Sequence, residues 1–428
     1  MPRGAEDCPL SIDFDPMRSV DLANPFASYQ RLRDEAPAYW ASGSKVYCIS
    51  RYEDVAFVLT NPHLFSSTGF YDTIMAQRWQ GLGWRDVFEM ARLLVRSRMN
   101  PLQFKSGLES LILVDPPRHG ELRGIVNRGF TPRRIAVWED RTREISRECL
   151  EPLRRGQPFD IVEELAIPLP VTVIAEMLGI EKERHHDFKR WSDEIVSGAT
   201  GSGTLASFLK AMGELHAYLR PIIAERRKNP ADDMISVLVD PSNDETLDPQ
   251  GMAQFVILLL IAGNETTTNL LGNAVTALLR NPEQLSLVQQ DLSLVPALVE
   301  ETLRYDSPLQ MVFRRVMEDT DLAGTILPKG SSVCALLGSA NRDERQFADA
   351  DRFDLQRDAR RHLALGKGVH FCLGAPLGRL EARVTLEELV PLLDPGSLVE
   401  TDPPMIDSFA VRGRSRVRLQ AAEQRETA

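Results

Sequence analysis

A glycine-rich loop that carries one histidine and one cysteine is the first place in the sequence where chemistry is expected. The stretch LGKGVHFCLG, residues 365–374, runs into a helix-like segment, so Cys372 lies at the mouth of a helix. Three kinds of site use such a loop: a phosphate cradle, half of a zinc site, or a single thiolate ligand for a metal ion. Each kind makes a different demand on the residues around it.

The residues around Cys372 favour the third kind of site. The glycine spacing lacks the P-loop pattern and its Lys-Ser/Thr pair, which argues against a phosphate cradle. Zinc needs about four ligands at recognisable spacing, and only His370 is close to Cys372 in the sequence. At a helix N-terminus, backbone N–H groups and the helix dipole favour a thiolate. Such a thiolate suits a single axial iron ligand.

Two further motifs precede this loop. AGNETT, residues 262–267, places the carboxylate of Glu265 and the hydroxyl of Thr266 beside a glycine inside a helical pattern. This suits a helix that passes close over a flat ligand and handles protons there; the alternative is a notch for helix packing with a solvated glutamate. EETLR places Glu301 and Arg304 on one helix face, where they can pair, although such pairs are also common on exposed surfaces.

The elements that must position these residues are mainly helical. Residues 248–281 have the pattern of one long helix, opened by Asp248-Pro249 and closed by Asn281-Pro282. At ~1.5 Å per residue this helix would be roughly 45–50 Å long, enough to cross a whole domain. Glu265 and Thr266 lie near its middle.

Smaller β elements are predicted toward both ends of the chain. Two short strands flank the Ser42–Ser44 turn, and a helix follows that ends before Pro62. Strand-like patterns return between residues 309 and 340, and the C-terminal SFAVRGRSRVRLQ alternates like a hairpin arm. We therefore predict a mainly α fold with a small β portion. The aromatic-rich stretch 66–114 has the weak periodicity of a functional segment or of a surface loop with core anchors.

Composition limits the classes of protein to consider. The chain has 428 residues, a net charge of −11 and 43% hydrophobic residues, the balance of a globular protein. Its negative charge argues against a general nucleic-acid or anionic-membrane binder, and five scattered cysteines argue against a disulfide framework. No signal peptide or membrane span is indicated. We expect a soluble, cytoplasmic, monomeric protein with one domain over residues 1–428, of which 1–12 form a flexible tail.

Taken in order, the three motifs resemble those of the cytochrome P450 superfamily of haem-thiolate monooxygenases, in its soluble bacterial form. The resemblance extends from about Asp13 to the C-terminal hairpin. Its core is Gly-x-Gly-x-His-x-Cys-x-Gly at 366–374, Glu-x-x-Arg at 301–304 and Ala-Gly-x-Glu-Thr at 262–266. It implies the cytochrome P450 fold, with haem b between the long central helix and the cysteine-loop helix. One departure is Leu365, where the family usually has phenylalanine.

The resemblance also implies a role for each matching residue. Cys372 would be the proximal thiolate ligand of the haem iron, and Glu265 and Thr266 would be the catalytic pair that stabilises dioxygen and relays protons. The haem propionates would be held by His119, Arg123, Arg314 and His370. A structural ion network behind the loop would be formed by Glu301, Arg304 and Arg352. The substrate pocket would be lined by Ala262, Leu309, Gln310, Met311, Val312 and Phe409, with Gln310 as a polar anchor.

The implied reaction is insertion of one oxygen atom from dioxygen into a lipophilic small molecule, by hydroxylation or epoxidation. Terpenoids, steroids, fatty acids and polyketides all fit, as in secondary metabolism. Electrons would come from a separate ferredoxin or flavodoxin, bound to a basic face formed by Arg118, Arg128, Lys367 and Arg379. Two alternatives stay open: a haem-thiolate peroxygenase or isomerase, in which the acid–alcohol pair is commonly replaced, and a non-catalytic haem sensor or carrier, which needs no proton relay.

Overall fold

The computed structural model describes residues 12–18, 24–69, 110–200, 204–240, 247, 249–408 and 410–420. Of the predicted site residues, Phe409 lies outside the described residues. So do most of the aromatic stretch 66–114 and nearly all of the predicted N-terminal tail.

Helices form most of the described chain, as predicted. Several begin at a proline because this residue presets the backbone for a first helical turn, where no amide hydrogen is needed. Examples are Pro282 and Pro168, each in the first turn of its helix. The helices are Phe26–Glu35, Tyr52–Thr60, Arg118–Asn127, Pro132–Ala136, Glu139–Arg154, Pro168–Met177, His185–Thr200, Leu205–Arg226, Met234–Val239, Pro249–Leu259, Glu265–Arg280, Pro282–Gln290, Val295–Tyr305, Leu337–Ala340 and Ala375–Leu389.

The predicted long helix is present at residues 249–280, with one change of geometry inside it. Its two α-helical parts, Pro249–Leu259 and Glu265–Arg280, are joined without a break by a π-turn at Leu260–Asn264. A π-turn is rare and often lies at a functional site. Here it ends directly before Glu265. We refer to residues 249–280 as the long helix.

Part of the long helix also has the properties of a membrane span. Residues Gly251–Arg280 are long and apolar enough to cross a membrane by length and composition, and 56% of their most apolar window is buried inside the protein. The central helix of a globular protein meets the same two criteria, so this finding is weak evidence for a membrane span.

One mixed sheet contains the strands predicted near both ends of the chain. Its strands are β1 (Ala38–Ala41), β2 (Val46–Ile49), β3 (Phe65–Ser66), β5 (Met311–Val316) and β8 (Ser332–Leu336). They lie side by side in the order β1-β2-β8-β5-β3. In this order β2 and β8 are parallel, and the other neighbours are antiparallel. The two strands around the Ser42–Ser44 turn and the strands between 309 and 340 are therefore confirmed.

The C-terminal hairpin is less regular than its sequence pattern predicts. Among the described residues its arms are joined by the single bridge between Met405 and Arg414, because Pro403 and Pro404 have no amide hydrogen to donate. Its last strand, β9 (Arg418–Leu419), pairs with β4 (Phe159–Asp160) instead. The remaining strands, β6 (Thr320–Leu322) and β7 (Thr325–Leu327), form a separate hairpin.

The largest apolar cluster joins the long helix to the helix that follows the cysteine loop, Ala375–Leu389, which we call the cysteine helix. Buried leucines of the long helix, such as Leu271 and Leu278, belong to the same cluster as Leu386 and Leu389 of the cysteine helix. This packing fixes the cysteine loop relative to the π-turn, and the two predicted halves of the site thereby belong to one rigid core.

Candidate active site

The cysteine loop is held by its own backbone. The amide of Cys372 donates to the carbonyl oxygen of Leu365 at 2.9 Å, so the departure from phenylalanine at Leu365 leaves this contact in place. Gly368 has a φ of +71°, and a Cβ there would lie 2.7 Å from the carbonyl oxygen of Leu59. Both conditions require glycine. The loop therefore lies directly on helix Tyr52–Thr60.

The sulfur of Cys372 lies in an environment with opposing effects on its ionisation. Burial raises the pKa of the Cys372 thiol, while hydrogen bonds from the amides of Gly374 and Ala375 and the positive charges of Arg123 and Arg379 act to lower it. The sequence predicted that the helix N-terminus favours a thiolate, but burial outweighs that effect here. A metal ion bound to the sulfur would add the positive charge that ionises a thiol outright.

Basic side chains from three separate parts of the chain meet beside the cysteine loop. The rings of His119 and His370 lie 4.2 Å apart between centroids, and His370 Nε2 lies 2.8 Å from the hydroxyl of Ser67. Burial and the charge of Arg314 lower the pKa of His370 to about 3. Burial likewise lowers the pKa of Arg314, on β5, to about 10. Positive charge is thus crowded into a poorly solvated region.

This basic cluster fits a ligand that brings negative charge. His119 is 2% exposed, and its Nε2 atom has no hydrogen-bond partner among the described residues. Arg123 donates to the carbonyl oxygen of Val369 at 3.2 Å, and burial lowers the pKa of Arg123. Asp115 opposes these charges, but it already accepts hydrogen bonds from the backbone of Ser67 and the hydroxyl of Ser66. Two carboxylates, as in haem b, would pair with this excess of positive charge.

The acid–alcohol pair lies directly after the π-turn of the long helix. The Thr266 hydroxyl donates to the carbonyl oxygen of Ala262 at 2.7 Å, a back-bond that is known to bend helices. Ala262 is exposed, and Glu265 and Thr266 are partly exposed. Burial raises the pKa of Glu265 to about 7. A carboxyl group with this pKa can both give and take a proton near neutral pH.

Glu301 and Arg304 form the best-paired ionic site of the region. Both side chains are fully buried, and Arg304 donates two parallel hydrogen bonds of 2.8 Å to the Glu301 carboxylate. Arg304 also donates to the carbonyl oxygens of Asn341 and Ala350, while Glu301 accepts from the amide of Asp354. The predicted pairing of Glu301 with Arg304 is thus present, and these contacts hold the chain between residues 341 and 354.

The predicted role of Arg352 in this network is wrong for its side chain, which is exposed. Arg352 contributes its carbonyl oxygen, which accepts from Arg304 at 3.1 Å. The third side chain is Arg357, whose Nε lies 3.4 Å from the Glu301 carboxylate. The spacing from Glu301 could not distinguish the two arginines, because both lie in a segment without regular secondary structure.

Two of the predicted pocket residues lie elsewhere. Gln310 is fully buried. Its side-chain amide accepts a hydrogen bond from the hydroxyl of Tyr29 at 3.1 Å and donates one to the carbonyl oxygen of Ser307. Because both groups of the amide are used within the core, Gln310 is not a polar anchor for a substrate. Met311 lies on the face of β5 opposite to Arg314 by strand alternation, and it contacts the sulfur of Cys334.

The other three described pocket residues are at least partly accessible to solvent. Ala262 is exposed, and Leu309 and Val312 are partly buried. Val312 is two residues from Arg314 on β5, and the two side chains therefore share the strand face of the basic cluster. Phe409 lies outside the described residues. Ala262, Leu309 and Val312 are all apolar, and they stay predictions for the pocket lining.

The sequence reasoning missed side chains that support the site from a distance. Glu300, next to Glu301, accepts from Arg379 at 2.6 Å and 3.0 Å and lies 3.3 Å from His362 Nε2. Burial would raise the pKa of Glu300, but His362 and Arg379 together lower it to about 2. In a similar way, the Ser67 hydroxyl contacts His370 Nε2, and Asp115 accepts from the amide of Ser67. Because these contacts join residues that are far apart in the sequence, no local sequence pattern predicts them.

Comparisons with known proteins agree with this geometry. The family model for cytochrome P450 matches residues 93–420. The vitamin D(3) 25-hydroxylase of Pseudonocardia autotrophica is 37% identical over 372 residues, which cover 86% of this chain and 85% of that protein.

Solved structures agree as well. Cytochrome P450 CYP109Q5 from Chondromyces apiculatus has a TM-score of 0.81 and 41% identity, over 96% of this chain and 98% of that one. CYP109E1 from Bacillus megaterium, solved in complex with testosterone, has a TM-score of 0.79 and 36% identity, over 93% and 99% of the two chains. The cytochrome P450 fold expected from the sequence is thereby confirmed, and the chain belongs to the cytochrome P450 family of haem b oxidoreductases.

Proposed function

We propose that this protein is a haem-thiolate monooxygenase that inserts one oxygen atom from dioxygen into a lipophilic small molecule. The observation that carries the proposal is the joint presence of Glu265 and Thr266 directly after the π-turn, next to an exposed Ala262. An enzyme that draws its oxygen from peroxide, or a haem sensor, has no need of this acid–alcohol pair.

Each residue of the site has one task in this proposal. Cys372 binds the iron through its sulfur, and the basic cluster of His119, Arg123, Arg314 and His370 binds the two propionates. Haem supplies the chemistry of oxygen activation, which a thiolate ligand promotes.

The long helix supplies the protons. Because the pKa of Glu265 is raised to about 7 by burial, this carboxyl group is partly protonated at neutral pH and can release a proton at low cost. The Thr266 hydroxyl both donates and accepts hydrogen bonds, and it lies one residue further along the same helix. Glu265 thus supplies the protons, and the hydrogen bonds of the Thr266 hydroxyl position them.

We expect Thr266→Val to reduce product formation by roughly 10²-fold, the usual size of a lost proton-transfer group, and to divert reducing equivalents into hydrogen peroxide. Product per NADPH, measured with a reductase and a ferredoxin, checks this. Glu265→Gln should act in the same direction.

In the wild type, the coupling, measured as product per NADPH, should fall as the pH rises through about 7, because Glu265 then loses its proton.

The matched control for Thr266 is Thr276, whose hydroxyl makes the same kind of back-bond, to Gly272 at 2.8 Å, further along the same helix. Thr276→Val should leave the ratio of product to NADPH unchanged. A Thr266→Val protein that stays fully coupled, or a wild type that turns over with hydrogen peroxide but not with NADPH and dioxygen, would count against a monooxygenase.

We also propose that the electron donor is a separate acidic protein, a ferredoxin or flavodoxin, that binds over the cysteine loop. Lys367 is exposed, and Val369 and Phe371 expose 36% and 39% of their surface beside it. Of the four basic residues expected from the sequence, Arg379 is paired with Glu300 and Arg118 with Glu121. Lys367, which lies beside these exposed apolar side chains, is the residue to test first, and Arg128 is tested with it.

Charge reversal at Lys367 and Arg128 should slow ferredoxin-supported turnover about tenfold at low salt and flatten its dependence on ionic strength, because steering between opposite charges is lost. Reduction by dithionite should be unaffected. Lys189→Glu, on helix His185–Thr200, changes the net charge by the same amount as either single reversal and serves as the control. Unchanged salt dependence in the Lys367 and Arg128 variants would exclude this surface as the docking site.

The substrate class is proposed from the lining and from the relatives. Ala262, Leu309 and Val312 are apolar, which favours a lipophilic ligand. One relative is named a vitamin D(3) 25-hydroxylase, and one solved neighbour holds testosterone. Steroids are therefore the first compounds to titrate against the Soret band of the ferric protein, followed by terpenoids, fatty acids and polyketides.

A further inference from the structure

Three sulfur-bearing side chains lie next to one another in the mixed sheet, away from the cysteine loop. They are Cys48 on β2, Cys334 on β8 and Met311 on β5, and these strands are neighbours in the order β2-β8-β5. Cys48 and Cys334 are direct partners in the register of the parallel pair. Cys334 pairs with Phe313 on its other side, so Met311 lies diagonally from it. We call Cys48, Cys334 and Met311 the sulfur cluster.

The side chains of the sulfur cluster contact one another in the core. The Cys334 thiol donates a hydrogen bond to the thioether sulfur of Met311 at 3.4 Å. Burial raises the pKa of the Cys334 thiol, and its hydrogen bond with the Cys48 side chain acts in the same direction. Both cysteines are free and fully buried, and Met311 is 2% exposed. Three sulfur donor atoms are thus collected at one point that solvent does not reach.

The sulfur cluster is separate from the proposed haem site. Strand alternation places Met311 and Arg314 on opposite faces of β5. On the face of Met311, the sulfur cluster belongs to one apolar cluster with Phe14 and Tyr29. The N-terminal segment and helix Phe26–Glu35 therefore cover the three sulfur atoms, while the other face of the sheet carries the basic cluster.

The kind and number of donor atoms select among metal ions. A zinc site needs about four ligands, and no group of three or more His, Cys, Asp or Glu side chains that could hold a metal ion occurs among the described residues. Two thiols and one thioether are soft ligands, which suit Cu(I). Two sulfur atoms bound to one ion at about 2.3 Å, the length of a zinc–thiolate bond, lie at most ~4.6 Å apart. The separation between Cys334 and Met311 allows a shared ion.

We propose that the sulfur cluster binds one Cu(I) ion through the two cysteine sulfurs and the thioether of Met311. The ion links three adjacent strands and thereby stabilises the sheet, whose β5 also carries Arg314 of the basic cluster. Because the ligands are fully covered, the ion enters during folding, before Phe14 and Tyr29 close over the strands; metal binding is commonly coupled to folding in this way. The proposal is independent of the monooxygenase function.

The binding step leaves the core uncharged. The S–H bond of one cysteine breaks, its thiolate sulfur binds the ion, and the proton passes to solvent water. The second cysteine binds as a neutral thiol, and no electron is transferred. One positive ion thus replaces one proton, which avoids the cost of burying a net charge.

The test measures the copper content of the full-length haem protein, purified without oxygen from cells grown with added copper salt. We expect about one copper ion per chain to remain after washing with the Cu(I) chelator bicinchoninic acid. Cys48→Ala and Cys334→Ala should each retain at least about tenfold less copper. Met311→Leu, which nearly conserves the side-chain volume, should release its copper to the chelator more readily than the wild type.

Two controls make the loss of copper specific. Cys149→Ala removes a free cysteine outside the sulfur cluster and should retain as much copper as the wild type. Haem content should be equal in all variants, because the sulfur cluster lies on the face of β5 opposite to Arg314. A variant with normal haem content and no copper has therefore lost the ion and not the fold.

A second readout identifies the ligands. X-ray absorption at the copper edge of the wild type should show Cu(I) with three sulfur neighbours, and two in Met311→Leu. Copper should also raise the unfolding temperature of the wild type, because an ion that binds only the folded chain stabilises it, and it should leave that of Cys334→Ala unchanged.

Three results would overturn the inference. The first is a wild type that retains no more copper than Cys334→Ala. The second is an absorption spectrum with nitrogen or oxygen ligands, which would place the copper at another site. The third is a wild type in which Cys48 and Cys334 are joined by a disulfide after the same purification, since neither sulfur could then bind the ion as a thiolate.

Discussion

Cys372→Ala should lack the strongly red-shifted Soret band that we expect of the dithionite-reduced, carbon monoxide-bound wild type, and its oxygen-inserting activity should fall below detection. The physical reason is that the Cys372 sulfur is the proposed ligand of the iron, and thiolate donation distinguishes this ligation from that by histidine or a neutral thiol. Absorbance of the purified, haem-reconstituted protein measures the effect. Haem content is determined in parallel, since the substitution leaves the proposed propionate site around His370 unchanged.

A matched control for Cys372 is available in the same chain. Cys149 is a free, partly buried cysteine on helix Glu139–Arg154, and burial raises the pKa of its thiol to about 11. Cys149→Ala should keep the red-shifted band. Retention of that band in Cys372→Ala would mean that another residue binds the iron, and the assignment of the loop would then be wrong.

The largest loss of stability is expected from breaking the Glu301–Arg304 pair. Glu301→Gln or Arg304→Leu should each lower the free energy of unfolding by about 3–5 kcal/mol, because removal of one partner leaves a buried charge uncompensated. The side chain of Arg304 also holds the carbonyl oxygens of Asn341 and Ala350. Urea unfolding, followed by the Soret band and by circular dichroism, measures the change.

Two comparisons make this result specific. Arg155→Ala breaks an exposed pair with Glu151 and should cost less than about 0.5 kcal/mol. The double variant Glu301→Met/Arg304→Leu removes both charges and should be less unstable than the sum of the single variants. If either single variant unfolds at the wild-type urea concentration, the pair does not stabilise the fold.

The sequence predicted those parts of the site that local spacing determines. Glu301 and Arg304 are three residues apart on one helix and therefore face the same side, and Glu265 and Thr266 are fixed to the long helix. Cys372 was identified by the glycines around it, because backbone close to a bulky ligand excludes most side chains. The mainly α fold followed from the helical punctuation in the same way.

The parts that could not be predicted depend on contacts between distant residues. The identity of the third residue in the ion network, Arg357 instead of Arg352, depends on the path of an irregular segment. Gln310 was expected in the pocket, but strand geometry and the hydroxyl of Tyr29 keep it in the core. The π-turn has no sequence signal that we could use.

The π-turn at Leu260–Asn264 has a consequence for how such a helix can change in evolution. A π-turn contains one residue more than the α-helical turn it replaces. Loss of a single residue there would leave a regular helix in which residues 249–259 and the part after Asn264 keep their packing faces. The fold therefore tolerates the loss of one residue at this point. The residue four positions before Thr266, whose carbonyl oxygen accepts the hydrogen bond of the Thr266 hydroxyl, would then change, so a one-residue deletion can alter the chemistry while the core persists.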